Sequence, residues 1–255
     1  MRFILAYVRL CLTAIILSLG TLLILTTSWM PFRIRGIRFS PWLVTWITRL
    51  LLPLYDIRVS SPCPERIWQH HGMIFPNHSS YLDILVMAYF VPTRFMAKEE
   101  VRSWPFIGLV AMAIGTVFVK RESKESRAKA RESLAKVRRY PPIVLYPEGK
   151  ISTDKIPAPF RYGAFEIAVQ NSIPFMPCAI VFDRPEIVEW GDETLLAAIW
   201  RLAARTGPVR AEVIPLEPVT PKPADDPVQL SLQAHRAVTD ALISRLPARA
   251  TDQEG

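Results

Sequence analysis

Cysteine is scarce and scattered: Cys11, Cys63 and Cys178 stand far apart, with no CxxC. That excludes a disulfide framework and a zinc site, and it fits a reducing compartment for the soluble part of the chain. No internal repeat and no low-complexity tract occur, which excludes solenoids and disordered interaction tracts. No recognisable nucleic-acid-binding module is present, so no nucleic-acid partner is expected despite the basic balance. Charge is also missing from one long stretch. From Leu10 to Phe32 no residue is charged, a run longer than the roughly 20 residues that cross a hydrocarbon core. No A-x-A-like site follows it, so it reads as an anchor rather than a removable leader.

What is present concentrates around that run. Half of the 255 residues are hydrophobic although 21% are charged, and the mean hydropathy is positive at +0.19. Arg2 and Arg9 precede the run, Arg33, Arg35 and Arg38 follow it, and Trp29 marks its exit. A second apolar stretch, Ser40–Ile57, is interrupted by Arg49 and should end as a helix at Pro53. With Trp42 and Trp46 it reads as an interfacial or re-entrant helix. One span plus this helix, or a hairpin dipping into one leaflet, are both open. The basic cluster favours a membrane protein with the remainder on the cytoplasmic side, in a bacterial cell the inner membrane. The net charge of +8 fits anionic partners such as membrane lipid or phosphorylated metabolites.

The remainder alternates strands and helices. Strands are expected at Gly72–Asn77, Thr93–Lys98, Gly115–Arg121, Pro142–Gly149, Pro174–Phe182 and around "VRAEVIPLEPV". Helices are expected over Ser80–Val91, Ser123–Arg139 (inner stripe Ala128, Leu134, Val137), "RYGAFEIAVQNS", Glu193–Thr206 and Pro227–Leu246. The fold class is α/β, a mixed sheet flanked by helices, with an N-terminal membrane-anchoring helical segment. The chain divides into an anchor over 1–57, an α/β domain over 58–246 and a disordered tail over 247–255. No oligomeric state is legible.

Four stretches carry candidate chemistry. "NHSSYLD" (Asn77–Asp83) has two readings. Ser80 and Asp83 fit a capping box, with Ser80 as N-cap and Asp83 at N3. Alternatively, a loop imidazole at His78 folds back onto a first-turn carboxylate at Asp83, which holds one ring N–H and leaves the other nitrogen as a base. No serine or cysteine is obviously paired as nucleophile, so such a base would act on a hydroxyl supplied by the substrate. "YPEGK" (Tyr146–Lys150) is a strand-ending turn with exposed N–H groups and a carboxylate. "GTVFVKR" ends on Lys120 and Arg121, either solvated or on an anion. Lys98 precedes two glutamates and fits an ordinary surface pair.

In order, an apolar anchor, NHxxxxD, Lys98 before WPFxG, GxxFVxR, PEG, "FRYGA" and "IPFMP" resemble the glycerophospholipid acyltransferase family, that of bacterial 1-acylglycerol-3-phosphate acyltransferases, over roughly Gly72–Ile180. The resemblance implies that His78 is the general base and Asp83 its orienter. Lys98 would stabilise the oxyanion. Asn77, Arg121, Glu148, Gly149 and Lys150 would bind substrate, with Arg121 on the acceptor phosphate, and Pro177 would shape the acyl groove. It implies acyl-CoA or acyl carrier protein as co-substrate, membrane lipids as partners, no cofactor and no metal. The acceptor would be a lysolipid, most simply 1-acylglycerol 3-phosphate. One departure matters. The family's third block reads F-P-E-G-T-R-S, whereas this chain has Lys150 for the threonine and Ile151 for the phosphate-binding arginine. That opens lyso-ornithine lipid, which has no phosphate, or another lysophospholipid as acceptor. From a different class, a non-catalytic lipid-binding surface module would fit the charge alone.

Overall fold

The computed structural model describes residues 2–245 except 121, 122, 124, 126, 127, 130, 131, 135–138, 153, 155, 191 and 192. Its centre is a seven-stranded sheet in the order β3-β9-β8-β4-β7-β5-β6. The strands are β3 (Ile57–Ser60), β4 (Met73–Pro76), β5 (Arg94–Lys98), β6 (Val117–Val119), β7 (Ile143–Val144), β8 (Phe175–Phe182) and β9 (Val209–Pro215). Every pairing is parallel except β8 with β9. The mixed sheet and flanking helices are those expected.

The sheet is buried on both faces, as parallel strands require. β4 shows how. Ile74 points into a core shared with Leu52, Val86, Met87 and Val213. Met73 and Phe75 point the other way, into a core with Phe165, Ala168 and Val238. There Phe75 packs on Phe165 and Phe175 at centroid distances of 4.8 and 5.3 Å. α4 (Asp83–Phe90) covers the first face; α6 (Gly163–Gln170) and α9 (Pro227–Ile243) cover the second. Short α3 (Pro64–Gln69), α5 (Ile107–Ala113) and α7 (Pro185–Val188) and the longer α8 (Leu195–Ala204) complete the frame.

The N-terminal segment is a helix pair. α1 (Arg2–Ser28) and α2 (Phe39–Leu54) are joined by a two-stranded ribbon, β1 (Arg33–Ile34) and β2 (Ile37–Arg38). Pro53 sits in the last turn of α2, which ends one residue later at Leu54, close to where the proline was expected to stop it. Gly20 lets the two helices meet, since a Cβ there would lie 2.4 Å from Ile47 Cδ1. α1 does not stand alone in length: Ala6, Arg9, Gly20, Thr21 and Ile24 are buried along one face. Arg9 Nη1 donates to Ala203 O (3.0 Å) and Arg205 O (2.7 Å), the free carbonyls at the end of α8. The opposite face, including Ile4, Leu12, Ile15, Leu19 and Leu22, is exposed and apolar.

Several local expectations need correction. Helix α4 begins at Asp83, three residues after the expected N-cap at Ser80. Ser80 Oγ instead donates to Val188 O (2.6 Å) and accepts from Leu82 N (3.1 Å), so only half of the capping box forms: Asp83 Oδ2 accepts from Ser80 N (2.9 Å), without the reciprocal bond. β7 is confined to Ile143–Val144, because the chain turns into the Pro147 loop at once. In the 123–139 segment Leu134 is fully buried, but Ala128 is exposed; Val137 lies outside the described residues, as does the expected tail.

Candidate active site

The sequence candidates gather at the carboxyl ends of three neighbouring parallel strands, β4, β7 and β5, where open α/β sheets bind ligands. β4 ends at Pro76 and releases Asn77-His78; β7 runs into Tyr146–Lys150; β5 ends on Lys98.

Asp83 organises the centre. Its side chain is fully buried, and Oδ2 accepts from His78 Nδ1 (2.8 Å), Ser79 N (2.8 Å) and Ser80 N (2.9 Å). An ionised carboxylate only accepts, so Nδ1 of the neutral imidazole carries the hydrogen and Nε2 offers its lone pair. Each of these bonds is charge-assisted, so the loop from His78 to Ser80 is wrapped around one oxygen. The imidazole plane is also fixed from its side: the Tyr146 ring stacks on it with centroids 4.0 Å apart and planes 20° from parallel.

Glu148 completes the frame through the backbone. Its Oε1 accepts from His78 N (2.7 Å) and its Oε2 from Ala158 N (2.9 Å). Burial pushes its carboxyl above the ordinary value, and the two N–H donors partly offset that. Both oxygens are therefore engaged by the fold, and through His78 N the carboxylate holds the loop that carries the imidazole. Asn77 is also held by the fold. Its Nδ2 donates to Ile180 O (3.1 Å) and its Oδ1 accepts from Ile180 N (2.7 Å), replacing a sheet rung beyond Pro76. Pro177 lies inside β8 opposite Phe75 and does not line the cavity beside His78. Arg121 lies outside the described residues.

His78 opens onto a cavity of about 1220 Å³, above the range of ordinary small-ligand pockets. Its walls are mostly apolar and come from α1 (Leu17), α2 (Ile47, Leu51), α4 (Leu85) and α5 (Val110). The N-terminal helices are thus part of the site's own wall. Lys98, Gly149, Lys150 and Ile151 line the same cavity, together with Arg161, to which sequence reasoning gave no role. Tyr146 also went unassigned; its position in the YPEG turn was the only signal. Among the described residues no group of three or more His, Cys, Asp or Glu side chains is placed to hold a metal. The arrangement pairs an oriented base with an apolar chamber rimmed by cations. That is what proton abstraction from a hydroxyl beside a bound hydrocarbon chain requires.

The comparisons agree with this chemistry. Residues 57–181 match the family model described as Acyltransferase. A lyso-ornithine lipid O-acyltransferase of Pseudomonas aeruginosa is 29% identical over 214 residues, covering 80% of this chain and 78% of that protein. A 1-acyl-sn-glycerol-3-phosphate acyltransferase of Neisseria gonorrhoeae is 26% identical over 154 residues, covering 58% of this chain and 60% of that protein. The crystal structure of a 1-acyl-sn-glycerophosphate acyltransferase from Thermotoga maritima superposes with a TM-score of 0.75 at 21% identity, over 96% of this chain and 97% of that one, and so shares the fold. With the motif residues brought together at the carboxyl ends of β4, β7 and β5, the chain belongs to the acyltransferase family and is an enzyme of that class.

Proposed function

We propose that the enzyme transfers a fatty acyl group from the thioester of acyl-CoA or acyl carrier protein to the free hydroxyl of a lysolipid. The observation that carries this reading is the His78 Nδ1–Asp83 Oδ2 pair, 2.8 Å, in the wall of the apolar cavity. His78 Nε2 takes the hydroxyl proton as the oxygen attacks the thioester carbonyl. The oxyanion so formed collapses, the C–S bond breaks, and the leaving sulfur takes the proton from His78. Lys98, on the cavity wall, is the cation assigned to the oxyanion. Two neighbouring side chains are poor nucleophiles, which supports direct transfer: Ser80 Oγ is committed to Val188 O and Leu82 N, and burial pushes the Cys178 thiol up.

The acceptor has two readings. 1-Acylglycerol 3-phosphate is the simplest from the motif order. Lyso-ornithine lipid is favoured by Ile151, which removes the phosphate-binding arginine, and by the relative aligned over the greater length. The exposed apolar face of α1, with its other face packed on protein along most of its length, supports seating in one leaflet of a membrane; the Arg33, Arg35 and Arg38 cluster favours the inner membrane with the catalytic domain in the cytoplasm. Thiol release with a panel of lysolipids, run with acyl-CoA and acyl carrier protein in parallel, tests the reading. Turnover with one lysolipid supports it. A protein that binds anionic vesicles without turnover, and whose binding is indifferent to His78→Ala, is instead a non-catalytic surface module.

A further inference from the structure

Ile151 leaves the YPEG turn without the arginine that a charged acceptor would need, but the fold brings a guanidinium to the same turn from another segment. Arg161 precedes α6, and its backbone N donates to Pro147 O (3.0 Å), which ties it to the turn. Its side chain lies across Gly149. A Cβ at Gly149 would stand 3.1 Å from both Arg161 Cζ and Nε and 3.4 Å from Nη1, and Gly149 has φ +78°. A side chain at Gly149 would crowd the guanidinium by a few tenths of an ångström, and the backbone there already favours glycine.

The side chain also has the freedom to bind. Arg161 lines the cavity with His78, Lys98 and Lys150. Among the described residues no carboxylate forms an ion pair with it. Glu148, the carboxylate next to Gly149, points both oxygens at backbone N–H groups instead. An exposed arginine held at a cavity wall without an anion of its own presents a planar fork to oxyacids, and Lys150 adds a second positive charge.

We propose that Arg161, assisted by Lys150, binds the anionic head group of the acceptor lysolipid, a carboxylate or a phosphomonoester, in the place left by Ile151. This rests on the lysolipid acyl-transfer reading. The head group docks on the turn whose Glu148 also holds His78 N, so one rigid loop sets both the anion and the base. A lysolipid carrying its charge a few bonds from its hydroxyl is then registered with the hydroxyl at Nε2.

The test compares wild type, Arg161→Gln and Arg161→Lys by thiol release, with lyso-ornithine lipid and 1-acylglycerol 3-phosphate as separate arms. Arg161→Gln should raise the acceptor KM about 10- to 100-fold, the loss of a charge-assisted fork, while the acyl-donor KM stays within twofold. Arg161→Lys should recover part of the loss, since it restores charge but not the fork. The arm in which the effect occurs identifies the anion as carboxylate or phosphate. An acceptor KM within twofold of wild type in the active arm, or acceptor and donor KM rising together, overturns the proposal. Tryptophan-fluorescence titration of each lysolipid into His78→Ala and His78→Ala/Arg161→Gln gives a reading without turnover. Equal affinities there also overturn it, whereas a wild type that binds but never releases thiol defeats the acyl-transfer reading instead.

Discussion

Asp83→Asn isolates what the carboxylate charge does. The amide oxygen can take the place of Oδ2 and keep the bonds from Ser79 N, Ser80 N and His78 Nδ1. The amide nitrogen then occupies the place of Oδ1, which is buried without a partner among the described residues, so no existing bond has to break. What disappears is the negative charge beside an imidazole that becomes positive in the transition state. Two unit charges about 4 Å apart at an effective dielectric near 20 attract by about 4 kcal/mol. At about 1.4 kcal/mol per decade, kcat should fall roughly 10³-fold. The assay is thiol release at saturating donor and acceptor, with urea unfolding to confirm that the variant is folded. In a His78→Ala background the same substitution should cost less than about threefold, because Asp83 acts through the imidazole. A loss that persists undiminished in that background, or a single variant within about fivefold of wild type, would refute the reasoning.

Other expectations follow from the packing. Burial raises the Glu148 carboxyl above its unfolded value, so in the fold it holds its proton to higher pH than in the unfolded chain. Its contribution to stability is fully present below about pH 4.3, the ordinary glutamate value, and is lost as pH rises through the raised folded value. The stability difference between wild type and Glu148→Gln, from urea midpoints across pH 4 to 7, should therefore shift against wild type as pH rises; a shift in its favour contradicts the burial argument. Arg9→Leu removes two hydrogen bonds from a buried guanidinium to the end of α8 and should cost about 3 kcal/mol, with faster proteolysis or amide exchange in α1. Unchanged protection of α1 would show that Arg9 does not latch the helix. The Tyr146 hydroxyl is buried without a partner among the described residues, so Tyr146→Phe should leave stability unchanged or raise it by about 1 kcal/mol and retain activity. Tyr146→Leu, which removes the stack on His78, should lower kcat, and equal kcat for the two variants would deny the stack a role.

Much of this site is written in short stretches of sequence. The five-residue spacing of His78 and Asp83 left the pair as one of two readings, which the order of the surrounding motifs favoured; it forms because a loop residue and the first residue of a helix fold back on each other locally. The strands before the PEG turn and before His78 were visible as apolar runs bounded by proline and asparagine. What escaped depends on contacts between distant residues. The bonds that hold Asn77 and Glu148 were not legible locally. Their partners, Ile180 and the backbone of His78, are 103 and 70 residues away. The capping box is only half made for a related reason: the Ser80 hydroxyl is drawn to Val188, 108 residues on, and the helix starts later. Arg161 was legible only as part of "FRYGA", since nothing local says that its guanidinium rests on Gly149. The sequence left α1 open between a span and one arm of a hairpin, because hydropathy reports its exposed face and is blind to Arg9 docking on α8.

Direct transfer through His78 is decided most simply by thiol release measured with and without the lysolipid acceptor in wild type and His78→Ala. Wild type should release thiol only when acceptor is present and form no acyl-protein adduct by mass spectrometry, while His78→Ala should be slower by about 10³-fold or more. Undiminished release by His78→Ala, or a stoichiometric burst of thiol from wild type without acceptor together with an acylated protein, would contradict it.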